Sequence, residues 1–226
     1  MKRIALLLMS EMALLFAISC NEIDSSPIIE FKDIHVLQAL LPIMDENGDG
    51  RISQKEVNDV RDLYLSGMGI LSFDEISYFQ NLEFLHLNDN QLTSIDVSKN
   101  TALIDLRLCN NQLTSIDVSK NTALECLELS GNQLTSIDVS KNTALKLLSL
   151  SDNQLTSIDV SKNTALDYLI LSGNQLRIID LSKNKIINYV LKIDGNPLQK
   201  LILSYYNLHP EDFKDRYKDI IEYVYE

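Results

Sequence analysis

A stretch of fourteen residues, NQLTSIDVSKNTAL, occurs four times in this sequence without a single change. The copies begin at Asn90, Asn111, Asn132 and Asn153, so the period is 21 residues, and the seven residues between successive copies vary. A fixed period of this length predicts an elongated array of stacked units rather than one closed globular core. A single unit cannot bury its apolar side chains alone, so each unit depends on its neighbours for a core.

Aligned, the units follow the pattern L-x-x-L-x-L-x-x-N-x-L, which resembles the leucine-rich repeat. The first full unit and two degenerate flanking units carry it at Leu82, Leu85, Leu87, Asn90 and Leu92, at Val60, Leu63, Leu65, Met68 and Ile70, and at Leu191, Ile193, Asn196 and Leu198. Because the leucines of L-x-L alternate with period two, the pattern predicts a mainly β solenoid whose concave parallel sheet has about seven or eight short strands. Leu201 and Leu203 are expected to begin a last partial turn.

The repeated asparagine and the segment that follows it are expected to be structural. Stacked once per unit, the side-chain amides of Asn90 and its equivalents can satisfy backbone groups in the turn after each strand. Ile95 and Val97 alternate with Asp96, which predicts an extended return path on the convex side. Stacking aligns Asp96 with its equivalents, and interleaved lysines such as Lys99 make a solvated face the expected result.

The two ends of the chain are predicted to be a signal peptide and a capping helix. Residues 1–20 begin with a basic pair, continue with an apolar run and end at Cys20. Their end resembles the lipobox of bacterial lipoproteins, which implies cleavage before Cys20 and lipid on its thiol; the alternative is secretion with cleavage near Ser19. Residues 209–226 have apolar residues at helical spacing and predict an amphipathic helix that closes the array or, alternatively, binds a partner.

Between the signal and the array, which occupies residues 59–208, the linker and loop region of residues 21–58 contains DENGDGRISQKE. This segment fits the calcium-loop pattern D-x-[DN]-x-[DN]-G-x5-E in every position. The expected Ca²⁺ ligands are Asp45, Asn47, Asp49, the carbonyl of Arg51, Ser53 through water, and Glu56. Flanking helices are predicted from Phe31 to Met44, with Pro42 expected to break or kink the first, and from Val57 to Leu63. Since a single loop lacks a paired partner, weak binding and a loop without an ion both remain open.

The variable residues indicate a candidate binding surface. Once the inward leucines are set aside, the variation falls on outward positions of the concave strands. The candidate ligand-binding residues are Tyr64, Phe84, His86, Asp105, Arg107, Glu128, Tyr168, Ile170 and Lys192. An exposed sheet that carries aromatic, charged and aliphatic side chains is typical of an interface, and relaxed constraint at exposed positions is the alternative explanation.

Charge and cysteine usage narrow the function classes. The net charge of −12 argues against a nucleic-acid backbone or an anionic membrane surface as partner. Cys109 and Cys126 should lie on neighbouring strands but four positions apart, about 13 Å at 3.3 Å per residue, which is too far for a disulfide. His86 lies one strand from Cys109, but nothing orients such a pair and the face is open to water, so no enzymatic activity is expected.

The order of these segments resembles that of leucine-rich repeat surface lipoproteins of Gram-negative anaerobic commensals, which are related more distantly to internalin-type adhesins. The resemblance covers residues 20 to about 208. It implies display at the outer membrane and binding of an unknown protein or glycan. We therefore expect a monomeric, calcium-stabilised binding module with its lipid as the only membrane contact. The alternatives are a dockerin-like component recruited through the calcium loop, a purely structural envelope protein, and a periplasmic or secreted location.

Overall fold

The computed structural model describes residues 24–184, 190–204 and 216–224, and these residues form a solenoid of stacked parallel strands. The described strands are β1 Asp62–Tyr64, β2 Phe84–His86, β3 Asp105–Arg107, β4 Cys126–Glu128, β5 Leu147–Ser149, β6 Tyr168–Ile170, β7 Ile178–Leu181, β8 Val190–Lys192, β9 Lys200–Ser204 and β10 Ile221–Val224. Seven of them make one sheet in the order β1-β2-β3-β4-β5-β6-β8, and β7, β9 and β10 make a second, three-stranded sheet. The predicted leucine-rich repeat solenoid is confirmed, whereas the predicted signal peptide and Cys20 lie outside the described residues.

The strands of the seven-stranded sheet pair in parallel with equivalent residues in line. Leu85 pairs with Leu106, Leu106 with Leu127 and Leu127 with Leu148, so each step along the sheet advances one repeat of 21 residues. These central leucines are fully buried, and they belong to one hydrophobic core that runs through the whole array. Burying one leucine side chain stabilises a fold by about 1.5–3 kcal/mol, so stacking of units supplies most of the driving force.

The asparagine that closes each strand has the structural role expected of it. Asn111 Oδ1 accepts a hydrogen bond from Leu92 N at 3.0 Å, and Asn111 Nδ2 donates to the carbonyls of Leu87 at 2.9 Å and Leu108 at 3.1 Å. Each side chain therefore ties its own turn to the preceding unit. Equivalent bonds recur at Asn90, Asn132, Asn153, Asn174 and Asn196.

A second asparagine ladder runs along the return path, and the sequence analysis did not identify it. Asn121 is fully buried, and its Nδ2 donates to the carbonyls of Val97 and Asn100, both at 2.9 Å. Equivalent bonds recur at Asn100, Asn142, Asn163 and Asn184. The return path is thus held by side-chain amides where most units form no regular strand.

The aspartates of the return path also serve the backbone. Asp117 Oδ1 accepts from Ser119 N at 2.8 Å, and the same turn recurs at Asp96, Asp138, Asp159 and Asp180. Hydrogen bonds from the Ser119 backbone and hydroxyl lower the pKa of Asp117, and the charge of Lys120 adds to this effect. The aspartate row is therefore explained by local turn geometry and neighbouring lysines.

The C-terminal part of the array differs from two expectations. Leu201 and Leu203 pair with Ile179 and Leu181, so they continue the return path in β9 and do not begin another concave turn. The capping helix predicted over residues 209–226 is wrong for Ile221–Val224, which form β10 and pair in parallel with β9. The exposed edge of β9 offers backbone groups that a strand can satisfy, and the run of Ile, Tyr and Val favours extended structure. Residues 205–215 and 225–226, including much of the predicted helix, lie outside the described residues.

The N-terminal region packs onto the first repeat and shares its core. Helix α1 spans Ile34–Met44, and α2 is a single turn over Gln54–Val57. The expected interruption at Pro42 is wrong in position: α1 continues two residues further, because only the last turn loses a hydrogen bond and Met44 is held in the core. The exit helix predicted over Val57–Leu63 is also wrong, since the capping box of Ser53 starts α2 earlier and β1 already begins at Asp62.

One buried aspartate connects this N-terminal region to the array. Asp33 Oδ1 caps α1 by accepting from His35 N at 2.8 Å. Its other oxygen, Oδ2, accepts from Leu71 N at 2.6 Å and from Ser72 N at 3.1 Å. Because the core residues of α1 and the loop join the same hydrophobic cluster as the repeats, this region forms the N-terminal cap of the solenoid.

Candidate functional site

All nine candidate binding residues occupy outward positions on the seven-stranded sheet, on the side that we call the concave face. Each outward residue stands beside an inward, buried leucine such as Leu85 or Leu106. Tyr64 lies on β1, Phe84 and His86 on β2, Asp105 and Arg107 on β3, Glu128 on β4, Tyr168 and Ile170 on β6, and Lys192 on β8. The fold thus places side chains that are far apart in sequence on one surface.

Five of these residues form a continuous polar network across β1 to β4. The rings of Tyr64 and His86 meet edge to face with centroids 4.7 Å apart, and His86 Nε2 lies 3.3 Å from Asp105 Oδ1. Arg107 donates from Nε and Nη2 to the two oxygens of Asp105, both at 2.9 Å. Arg107 Nη1 also lies 3.1 Å from Glu128 Oε1. The guanidinium is therefore held on both sides by carboxylates.

The network fixes the charge of its central carboxylate. Burial acts to raise the pKa of Asp105, but hydrogen bonds from His86 and Arg107 outweigh this effect and bring the pKa to about 2. The hydrogen bonds to Asp105 also raise the pKa of Arg107. Asp105 and Arg107 consequently remain an ion pair throughout the physiological pH range.

The two described cysteines adjoin this network as free thiols. Cys126 pairs in register with Asp105, four residues before Cys109, so the expected offset between the cysteines is confirmed. Their sulfur atoms approach Glu128, with Sγ–Oε distances of 3.8 Å for Cys109 and 3.9 Å for Cys126. Burial raises the pKa of Cys109 and, together with the charge of Asp105, raises the pKa of Cys126 to about 12. Neither thiol has the depressed pKa of a nucleophilic cysteine.

The other end of the concave face is apolar. Leu147, Tyr168 and Val190 stand in register on β5, β6 and β8, and Ile170 lies beside them. All four side chains are partly exposed. The sequence analysis did not include Leu147 or Val190 among the candidate residues, although the 21-residue alignment with Tyr168 was sufficient to find them. Lys192 lies next to Ile170 at the edge of the described sheet.

The predicted calcium loop is folded around its first aspartate. Asp45 accepts hydrogen bonds from the backbone N–H groups of Gly48, Asp49 and Gly50 at 2.8–3.1 Å. Gly50 has φ +78°, a conformation that favours glycine and allows the sharp turn. Across the loop, Glu56 Oε1 accepts from Glu46 N at 2.9 Å, so the last loop position reaches the first residues.

The loop also has a backbone partner. Ile29 N donates to Ile52 O and Gln54 N donates to Pro27 O, both at 2.8 Å, so the segment before α1 pairs antiparallel with the loop. This pairing supplies the neighbour that a single loop was expected to lack. Ser53 Oγ donates to Asp24 Oδ2 at 2.5 Å, and this bond contributes most to lowering the pKa of Asp24 to about 2.

The donor set of the loop consists of carboxylate, amide, hydroxyl and carbonyl oxygens, which suits calcium. In the part of the chain that the structure describes, no three carboxylate, imidazole or thiol side chains converge as a ligand set. Asp45, Asp49 and Glu56 instead accept hydrogen bonds from the loop backbone. The six ligands proposed from the sequence therefore stay a prediction.

Solved structures with similar folds are leucine-rich repeat proteins. Internalin C2 of Listeria monocytogenes aligns with a TM-score of 0.67 and 21% identity, covering 87% of this chain and 94% of that one. The internalin InlF of the same species gives 0.64 and 21%, covering 86% and 64%. A leucine-rich repeat protein of Leptospira interrogans gives 0.61 and 23%, covering 76% and 55%. At these identities the similarity establishes the fold alone, and this chain spans only about half to two thirds of the latter two proteins.

No protein-family model matches the sequence, and no curated protein is significantly similar to it. Within residues 24–184, 190–204 and 216–224, no helix is long and apolar enough to cross a membrane.

Proposed function

We propose that this chain is an exported, lipid-anchored binding module that recognises a macromolecular partner through its concave face. The observation that carries the proposal is the contrast between the two sides of each unit. The exposed positions of the concave strands carry aromatic, charged and aliphatic side chains that differ from unit to unit, while the return path repeats the same residues. Variation concentrated on one continuous surface is typical of a recognition face on a constant scaffold.

A binding assay with the purified chain tests this proposal. The mature protein is immobilised and probed with a panel of extracellular matrix proteins and a glycan array. We expect at least one partner to bind, and we expect a variant with Phe84→Ser, Tyr168→Ser and Ile170→Ser to lose it at least tenfold, because buried aromatic and aliphatic anchors dominate interface energies.

The matched control carries the same number of exposed substitutions on the return path, Thr114→Ala, Thr135→Ala and Thr156→Ala. This variant should bind like the original chain. Equal loss in both variants, or loss in the return-path variant alone, would place the interface elsewhere on the solenoid.

We further propose that calcium binds the loop of residues 45–56 and stabilises the N-terminal cap. The supporting observations are the all-oxygen donor set, the folded loop around Asp45 and the backbone pairing of Ile52 with Ile29. A bound ion would neutralise the carboxylates that the loop gathers. Ile52 and Val57 are buried in the shared core, so a tighter loop stabilises the first repeat as well.

Calcium titration of three proteins checks this prediction. For the original chain we expect the melting temperature to rise with calcium in the millimolar range, by an amount equivalent to about 1.4 kcal/mol at tenfold excess over Kd. Glu56→Gln should abolish the rise, because it removes the charge but keeps an oxygen that can accept from Ser53 N. Glu46→Gln removes the same charge from a non-ligand position and should leave the rise intact. An unchanged response in Glu56→Gln would show that the ion does not bind this loop.

The structure gives less support to a dockerin-like role. The calcium-loop region is part of the solenoid core and is fixed to the first repeat through Asp33. A recruiting element that acts independently of the array would not require this shared core. We therefore assign the region a capping role.

A further inference from the structure

The concave face consists of two chemically different halves. The acidic half contains Asp62, Asp105, Arg107 and Glu128 on β1, β3 and β4. The apolar half contains Leu147, Tyr168, Ile170 and Val190 on β5, β6 and β8. This division bears on the chemistry of the partner, so the inference that follows rests on the proposed function.

The positive charge of Arg107 is used within the acidic half. Its Nε, Nη1 and Nη2 atoms all lie 2.9–3.1 Å from carboxylate oxygens of Asp105 and Glu128. A guanidinium engaged in this way cannot form a bidentate pair with an anionic partner unless an existing ion pair breaks. An anion would also approach two fixed carboxylates, so the geometry disfavours it.

The remaining charge of the acidic half is negative. Three carboxylates, those of Asp62, Asp105 and Glu128, face one guanidinium. The nearest rim charges do not change this balance, because Arg61 pairs with Glu83 and Lys146 pairs with Glu125. Lys192 stands on β8, three strand spacings or roughly 14 Å from Glu128 on β4, a distance beyond the Debye length at physiological salt. A cation is therefore the complementary partner group for this half.

The apolar half needs a different partner group. Leu147, Tyr168 and Val190 form a row across three neighbouring strands, so one aliphatic or aromatic side chain can contact all three. The row lies one to two strand spacings from Glu128, and the distance from β4 to β6 is about 10 Å. A single extended peptide can therefore place one residue on each half.

We propose that the concave face binds a protein segment that presents a lysine or arginine side chain to the acidic half and an aliphatic or aromatic side chain to the apolar half, about 10 Å away. In an extended segment this spacing corresponds to about three residues. Charge complementarity selects the cation, and burial of the apolar row provides the affinity. Neutral glycans offer neither group in this arrangement, and acidic glycans would meet the carboxylates.

Three blocked synthetic peptides test the inference. The first is Ser-Lys-Ser-Ser-Phe-Ser; the second has Glu in place of Lys, and the third has Ser in place of Phe. Binding is followed by NMR through the methyl signals of Leu147, Ile170 and Val190 and the amide signals of Arg107 and Glu128. We expect the first peptide to perturb both sets of signals saturably in the millimolar range, and the other two to bind at least about threefold more weakly.

Matched variants locate the charge effect. Glu128→Gln removes one carboxylate from the acidic half but leaves an oxygen that can accept from Arg107, and it should weaken the first peptide by about threefold or more. Glu125→Gln changes the net charge equally at a rim position paired with Lys146, and it should leave the affinity unchanged. Raising the salt concentration should reduce the difference between the lysine and glutamate peptides.

The possible outcomes separate this inference from the proposed function. Equal or tighter binding of the glutamate peptide on the concave face overturns the cationic specificity but leaves a concave binding surface. Binding of the first peptide only at return-path residues, or no saturable binding of any peptide, also overturns the inference. The proposed function itself fails only if the concave-face variant and the return-path variant behave alike in the partner assay described above.

Discussion

The residue that precedes each ladder asparagine shows how the backbone limits side-chain choice. Asp89, Asn110 and Asp152 have φ values of 57°, 54° and 53°, and Gly131 has φ 70° at the equivalent position. This left-handed conformation favours glycine, asparagine and aspartate. The last of the seven variable residues is therefore restricted by geometry, and only the first six are free to carry specificity.

This restriction predicts a stability difference between two substitutions at the same position of the repeat. Gly131→Ala should destabilise the array by about 1–2 kcal/mol, because alanine is strained at φ 70°. Asp152→Gly one unit later should be neutral or slightly stabilising, because glycine adopts this conformation freely. Urea denaturation compares the two variants with the original chain. Equal effects would mean that the backbone conformation at this position does not determine the choice of residue.

The Asp105 carboxylate predicts a dependence of stability on pH. Its folded-state pKa of about 2 lies below the value near 3.9 of an unfolded chain. The group therefore contributes stability that is fully present above about pH 4 and is lost as the pH falls towards 2. In Asp105→Asn the free energy of unfolding should fall less between pH 4 and pH 2 than in the original chain. Parallel pH profiles of the two proteins would contradict this assignment.

At the scale of the element, the return path depends on buried amides more than on regular strands. Asn142 is fully buried, and its Nδ2 bonds the carbonyls of Val118 and Asn121, both at 2.9 Å. Asn142→Ala leaves two buried acceptors unpaired and should cost about 2–4 kcal/mol. Thr143→Ala, at the adjacent exposed position, is the control and should change the free energy of unfolding by less than about 0.5 kcal/mol. Similar losses in both variants would exclude the ladder as the cause.

The sequence was sufficient to predict strands, register and the first asparagine ladder, because period-two leucines and a 21-residue spacing are repeated signals. It was not sufficient for Asn121 and its equivalents, since identity within a copied segment does not distinguish a buried amide from an exposed one. Helical spacing over residues 209–226 was misleading at Ile221–Val224 because strand formation there depends on the non-local edge of β9. The network around Arg107 required side-chain geometry, although its members were identified individually.

At the scale of the molecule, the identical copied segments make one unit removable. Deleting residues 132–152 joins Gly131 to Asn153, so β4 should pair with β6 through the same asparagine bonds. The array should still unfold cooperatively, with a smaller m-value because less surface is buried. The separation between Glu128 and Ile170 should shrink to about 5 Å, so a peptide with Lys and Phe in closer positions should now bind best. Retention of the original peptide preference, with the shortened array folded, would argue against the two-halves geometry.

The same uniformity creates a problem of reading frame during folding. A unit displaced by one whole repeat would find the same asparagine, isoleucine and valine partners, so such a misalignment loses few contacts. The N-terminal cap offers contacts that no copied segment reproduces: Asp33 binds Leu71 N, and Asn100 binds the carbonyls of Ile76 and Phe79. The cap therefore sets the frame, and ordered growth of the solenoid should start from it and proceed towards the C terminus.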